Sequence, residues 1–205
     1  MIEVTDIEQG TSEWLNLRLR IPTASEFKRI LTSSGNPSKS AEGYMEELVY
    51  ERLTGNSIDR YVSYDMQRGK ENEPEARRLF ELVQDMTVRQ VALCYMDDRK
   101  LWSCSPDGLI DPFEGLEIKD AKPRIQIHRL RYGWEDWKTE HYQQIQGGML
   151  ITGRSSWYLM SNCPGLPPLI IKVERDTEFI IKLKVELEAF CEELDRVEDK
   201  LRRLG

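Results

Sequence analysis

The chain has 205 residues, 40% hydrophobic and 32% charged, with a net charge of −7. That size suits one domain with a single core, and the composition excludes an intrinsically disordered chain. The longest apolar run, Val91 to Met96, is far too short to cross a bilayer, and the acidic N-terminus, broken by Gly10, does not read as a signal peptide, so a cytoplasmic protein is expected.

In chain order, Thr23-Ala24-Ser25-Glu26 fits a capping box, with Thr23 as the N-cap of a short helix reaching about Leu31. Thr32 to Ser40, rich in Ser, Gly and Pro, reads as a loop. A helix follows from near Glu42 to Leu53 and stops at Gly55. A third helix is expected over Glu73 to Val83, with Pro74 in its first turn and Leu79, Phe80 and Val83 on its buried side. Thr87 to Met96 and Leu101 to Ser105 read as strands. Gly115 to Lys119 is another, entered through a turn at Asp111-Pro112-Phe113-Glu114. A helix carrying Tyr142, Ile145 and Met149 ends near Gly153, and strands over Ser156 to Ser161 and Leu169 to Val173 come next. Ile180, Leu183, Leu187, Phe190, Leu194, Val197, Leu201 and Leu204 recur every three or four residues and mark a long C-terminal helix. Its apolar stripe either lies on its own domain or meets another subunit or partner. The order predicts an α/β fold, a central mixed β-sheet flanked by helices, as one domain over residues 1–205.

Cys94, Cys104, Cys163 and Cys191 are scattered, and His128 and His141 are the only histidines. This argues against zinc or iron–sulfur ligation and for buried, reduced thiols. Carboxylates and lysines are left to carry the chemistry. Ser105-Pro106-Asp107 is followed, ten residues after the aspartate, by Glu117-Ile118-Lys119. Side chains alternate along a strand, so Glu117 and Lys119 share one face while Leu116 and Ile118 take the other. The hairpin can bring Asp107 beside Glu117. Two carboxylates at one point repel unless a cation joins them. A hard ion such as Mg²⁺ takes oxygen ligands, here Asp107, Glu117 and the Ile118 carbonyl, with water or phosphate completing the shell. Lys119 can then hold or deprotonate an attacking water. The bare carboxylate spacing also fits a hairpin with surface charges; the lysine on an otherwise apolar strand favours the metal site. An acidic net charge does not exclude DNA, since local Lys and Arg residues set phosphate affinity and a bound cation inverts the charge of its ligands.

These residues resemble the PD-(D/E)xK nuclease superfamily, and more closely the lambda-exonuclease and YqaJ-type family of viral recombination exonucleases. The landmarks run in order from Glu8-Gln9-Gly10, Trp14 and Leu17-Arg18-Leu19 through Thr23-Ala24-Ser25-Glu26 to Gly69-Lys70, Glu73 and Ala76-Arg77. Cys104-Ser105-Pro106-Asp107-Gly108-Leu109, Gly115-Leu116-Glu117-Ile118-Lys119 and Gln144-Ile145-Gln146 complete them. The resemblance implies a restriction-endonuclease-like core. It implies catalytic roles for Glu73, Asp107, Glu117 and Lys119, with Glu73, Asp107, Glu117 and Ile118 at the metal, and a 5′-phosphate pocket of Arg18, Ser25, Ser105 and Gln144. Asp97 aligns with an acidic residue near the family's site, as support or as a surface turn. Met66 falls where the family places a strand-parting wedge. The basic residues from Lys119 to Lys138, interleaved with Tyr132, Trp134 and Trp137, read either as a DNA-tracking strip or as core and subunit contacts.

By the same resemblance the chain is expected to be a processive 5′-to-3′ exonuclease of phage or prophage origin, working in a bacterial host cell on linear double-stranded DNA with 5′-phosphate ends. It would release mononucleotides and use two magnesium ions, with manganese as a substitute. A homotrimeric ring and a single-strand annealing protein as partner are implied. The alternatives are an endonuclease of the same superfamily and a catalytically inactive DNA-binding protein on the same fold.

Overall fold

The structure, a computed structural model, describes residues 1–58 and 64–204, with side chains from residue 67 onward in the second stretch. The strands are β1 (Ile2–Val4), β2 (Leu93–Tyr95), β3 (Ser103–Cys104), β4 (Gly108–Ile110), β5 (Glu114–Asp120), β6 (Ser156–Asn162) and β7 (Leu169–Glu174). The helices are α1 (Ser12–Arg18), α2 (Ala41–Thr54), α3 (Tyr64–Gln84), α4 (Pro123–Tyr132), α5 (Trp137–Thr152) and α6 (Thr177–Arg202), with a 3-10 helix at Ala24–Arg29.

All seven residues of β6 are buried, as befits a strand covered on both faces. It runs parallel to β5 and antiparallel to β7, and β4 pairs antiparallel with β5, giving the mixed order β4-β5-β6-β7. Strand alternation divides the core. Trp157 and Leu159 join α2, α5 and α6 in the larger cluster, while Tyr158 and Met160 join Leu116 and the α3 residues Ala76 and Phe80 on the other face. Burying each such side chain contributes about 1.5–3 kcal/mol. A second sheet, β1-β2-β3, is antiparallel, and Arg89, four residues before β2, forms an isolated bridge with Leu109 of β4. The expected single sheet is therefore two hydrogen-bonded pieces. Within the second sheet only Leu93–Tyr95 of the long strand expected over 87–96 is paired, while Arg89 pairs with β4 instead.

The long C-terminal helix packs its apolar stripe onto its own domain. Leu183, Leu187 and Leu194 are fully buried, and Phe190 stacks on Tyr44 of α2 with ring centroids 5.8 Å apart. Asp176 caps it, accepting from the Phe179 N–H at 3.0 Å. Leu201 and Leu204 lie beyond the packed stretch and are exposed. Among the described residues no helix is long and apolar enough to cross a membrane.

Three local expectations change. Thr23 makes no side-chain cap, since its hydroxyl contacts Ser25 and Arg18, and the turn after it is 3-10 rather than α. α3 begins at Tyr64, so Pro74 lies in its interior, where its missing N–H leaves the Lys70 carbonyl without its ladder partner. Val83 is exposed, whereas Phe80 is buried and Leu79 partly buried as expected, with Ala76 beside them.

Candidate active site

The hairpin of β4 and β5 builds the floor of the site. Asp107 precedes β4; its N–H donates to the Leu116 carbonyl at 3.1 Å, and its Oδ2 accepts the Ile118 N–H at 2.6 Å. This ties Asp107 to the strand that carries Glu117 and Lys119. Lys119 Nζ donates to Glu117 Oε1 at 2.8 Å. Gln144 of α5 faces the same pair: its Oε1 accepts from Lys119 at 3.2 Å and its Nε2 donates to Glu117 Oε1 at 2.5 Å. Glu73 arrives from α3. Arg77, one turn on, pairs with Glu73 and donates through Nε to the Asp107 carbonyl at 2.9 Å. Three acids and one lysine, from two strands' ends and a helix, thus share one place.

Their charges do not balance. Burial, then the neighbouring Glu117 and Glu73, push the Asp107 carboxyl well above the usual range. Burial also raises Glu73, with Glu117 adding to it against the pull of Arg77. Burial would lower Lys119, but Glu117 and Asp107 outweigh it and hold the ammonium above its ordinary value. Carboxylates that raise one another's affinity for a proton are equally suited to a cation, and an all-oxygen donor set fits a hard one such as Mg²⁺ or Mn²⁺. Among the described residues no three acidic, histidine or cysteine side chains enclose an ion by themselves. A bound ion would need further oxygens from the Ile118 carbonyl, water or substrate.

A second constellation borders the first. Arg18, at the end of α1, lies over the Trp14 ring at 4.3 Å. Its Nη1 donates to Ser105 Oγ at 2.9 Å and its Nη2 to Ser25 Oγ at 3.2 Å, while Trp14 Nε1 donates to Ser105 Oγ at 3.2 Å. A fixed guanidinium flanked by two hydroxyls is a fitting receptor for a phosphate. Arg18, Ser25, Glu73, Ser105, Asp107, Ile118 and Lys119 all line one cleft of about 1040 Å³. Gln144 stands with Glu117 and Lys119 rather than with Arg18.

Other residues fall as follows. Asp97 sits in a surface turn, paired with Arg99 at 2.8 Å. The side chain of Met66 lies outside the described residues. In the basic stretch, Trp134 is buried and Tyr132 exposed. The sequence reading gave no role to Arg77 or Asp120. Arg77 had a signal, its i+4 spacing from Glu73. Asp120, next to Lys119, accepts from Arg68 Nε at 2.7 Å and Asn72 Nδ2 at 2.8 Å, fastening α3 to β5 just before Glu73; nothing short of the fold reveals that contact. All four cysteines are buried and unpaired.

The profile of the YqaJ-like viral recombinase domain matches residues 13–155. No curated protein matches the sequence significantly. Among solved structures, an alkaline exonuclease from Laribacter hongkongensis is similar with a TM-score of 0.83 and 31% identity, over 94% of this chain and 97% of that one. The same enzyme in complex with dAMP gives the same similarity. A phage-related exonuclease from Haemophilus somnus shares the fold with a TM-score of 0.70 at 14% identity, over 88% of this chain and 96% of that one.

Proposed function

The chain belongs to the YqaJ-like viral recombinase family and is a nuclease of the exonuclease type, and from that premise we propose that it digests linear double-stranded DNA from 5′-phosphorylated ends. It releases mononucleotides and leaves a 3′ single strand. The observation that carries this reading is that Asp107, Glu73 and Lys119, with the buried Glu117 bonded to Lys119, share a cleft with the Arg18, Ser25 and Ser105 cradle.

Asp107, Glu117, Glu73 and the Ile118 carbonyl would hold one or two magnesium ions, or manganese in their place. A bound ion would supply charge stabilisation at the phosphate and lower the pKa of the attacking water. The chain's own groups do the rest. Lys119, kept charged by its acid neighbours, donates a hydrogen bond toward the attacking water and offsets charge on the phosphate. Gln144 fixes that amine and Glu117 together. Arg77 holds Glu73 and the Asp107 backbone in register. Arg18 and its two serines receive the terminal phosphate. Ser105 is two residues before Asp107, so the cradle that receives the terminal phosphate lies beside the acids that would meet the first phosphodiester.

The reading extends to a homotrimeric ring around the DNA, to processive digestion, and to an annealing protein that takes up the 3′ strand; the family resemblance supports all three. Light scattering should give three times the 24.0 kDa chain mass. The deciding experiment follows linear duplex labelled at one 5′ end, with Mg²⁺, with EDTA, and beside a covalently closed circle. Label released as mononucleotide, no reaction in EDTA and an intact circle are expected. Digestion from the 3′ end, or cutting of the circle, overturns the proposal.

A further inference from the structure

Residues 121–134 contain Lys122, Arg124, Arg129 and Arg131 and no acidic residue, in a chain whose net charge is −7. α4 carries most of this charge. Its rotation is set by Gln126, which is buried, accepts from Ser161 Oγ at 2.6 Å and donates to the Pro167 carbonyl at 2.7 Å. With that side turned inward, Ile125 and Arg129 line the catalytic cleft while Arg124 and Arg131 are exposed outside it.

Arg129 is held in a way that suits an anion. Its guanidinium lies 3.7 Å from the centroid of the buried Trp134 ring, Nη1 donates to Ser161 Oγ at 3.1 Å, and Nη2 donates to Glu140 Oε2 at 3.3 Å. Those contacts use two of five N–H groups and fix the plane of the rest, the arrangement that lowers the entropy cost of gripping a phosphate. Glu140 is itself exposed, so the Arg129–Glu140 pair stands at the rim of the cleft.

Resting on the nuclease reading, we propose that α4 is a wall of the DNA track, in which Arg129 grips a backbone phosphate inside the cleft and Arg124 and Arg131 hold the duplex beside it. Single-signed charge continuous with the cleft favours nucleic acid over a protein partner, although Ile127, Leu130 and Tyr132 are exposed on the same helix.

The test is duplex binding by fluorescence anisotropy across a salt series, with Ca²⁺ replacing the catalytic ion. Arg129→Ala, and separately the exposed pair Arg124→Ala with Arg131→Ala, should weaken binding about tenfold, the scale of a lost charged hydrogen bond. Each lost phosphate contact should also reduce the slope of log affinity against log salt by about 0.9. Lys200→Ala removes an exposed charge on α6 away from the cleft and should change neither. The double variant alters only exposed side chains, Arg131 packing on nothing more than the exposed Tyr132 ring, so its result stands even if Arg129→Ala melts early. Unchanged affinity and slope in both variants overturn the proposal. So does a smaller sedimenting species with an unchanged slope, which would make α4 a contact between subunits. If the wild type binds with an α4-dependent slope yet digests nothing, the nuclease reading falls and this inference survives; if it digests and the slopes do not move, only the inference falls.

Discussion

The Lys119 ammonium lies 2.8 Å from Glu117 Oε1, two residues back along the same face of β5. That contact keeps the amine charged inside a cluster of acids and aims it where a water would attack. Lys119→Ala removes the donor and leaves Asp107, Glu73 and Glu117 to repel one another. Single-turnover digestion should slow by about 10²-fold or more, the scale of a lost proton-handling group. DNA binding should persist, because the Arg18 cradle is untouched. Near-normal digestion by this variant would remove the lysine from the mechanism.

Gln144 separates two roles. The resemblance implies a place in the 5′-phosphate pocket, but the amide here bridges Lys119 and Glu117. Gln144→Ala should lower the rate roughly tenfold, the cost of freeing a pair held by charged hydrogen bonds. The preference for 5′-phosphorylated over 5′-hydroxyl ends should stay at the wild-type ratio. A collapse of that ratio would show that Gln144 reaches the terminal phosphate once DNA is bound.

Arg18 should behave in the opposite way. It donates to Ser105 and Ser25, in the cradle beside the acids. Arg18→Ala should therefore slow digestion of 5′-phosphorylated ends and leave 5′-hydroxyl ends nearly unaffected, so the ratio of the two rates falls toward one. Rates measured on the two substrates side by side decide it, and an unchanged ratio rejects the pocket.

Much of this site is written in short motifs, because its parts sit within a few residues of each other on one hairpin. Glu117 and Lys119 could be placed on one face from strand alternation, and the hairpin brings Asp107 beside them. α6 was legible from its three-and-four spacing, which survives any tertiary context. Contacts made across the fold were not legible. Thr23 has the chemistry of an N-cap, but its hydroxyl is drawn to Arg18 and Ser25 instead. Pro74 looked like a helix start because proline favours first turns; packing of α3 on β5 and the Asp120 tether to Arg68 and Asn72 override that preference. α4, with no clean apolar stripe, gave no periodic signal at all.

Gly115 faces Trp157 across the β5–β6 pairing. A Cβ built at Gly115 would fall 2.4 Å from Cε3 and Cζ3 of that indole, and one at Gly148 would fall 2.9 Å from its Cη2. Trp157 is fully buried and has no free side to move toward. Gly115→Ala should cost about 1–3 kcal/mol, the range for overpacking a core. For a domain of this size the melting temperature should fall by about 2–4 °C per kcal/mol. An unchanged melting curve would mean that the strand pair can spread without loss.

His141 makes acid sensitivity a property of the fold. Burial first, then the nearby charges of Lys119, Arg129 and Lys28, lower its pKa from 6.5 to about 3. Its ring meets Trp134 edge-on at 5.5 Å, and the exposed Glu140 at 3.3 Å does not outweigh burial and those charges. As pH falls through 6.5 the unfolded chain takes up a proton at this residue and the folded chain does not until about pH 3. Across that window the unfolded state binds more protons, so folding stability is full above the window and declines as pH drops through it. His141→Gln removes the proton uptake while keeping a polar side chain of similar reach. Melting temperatures measured from pH 8 down to pH 4.5 should therefore fall more steeply for the wild type than for the variant, whatever their offset at pH 8. Parallel curves would mean that His141 is not held neutral.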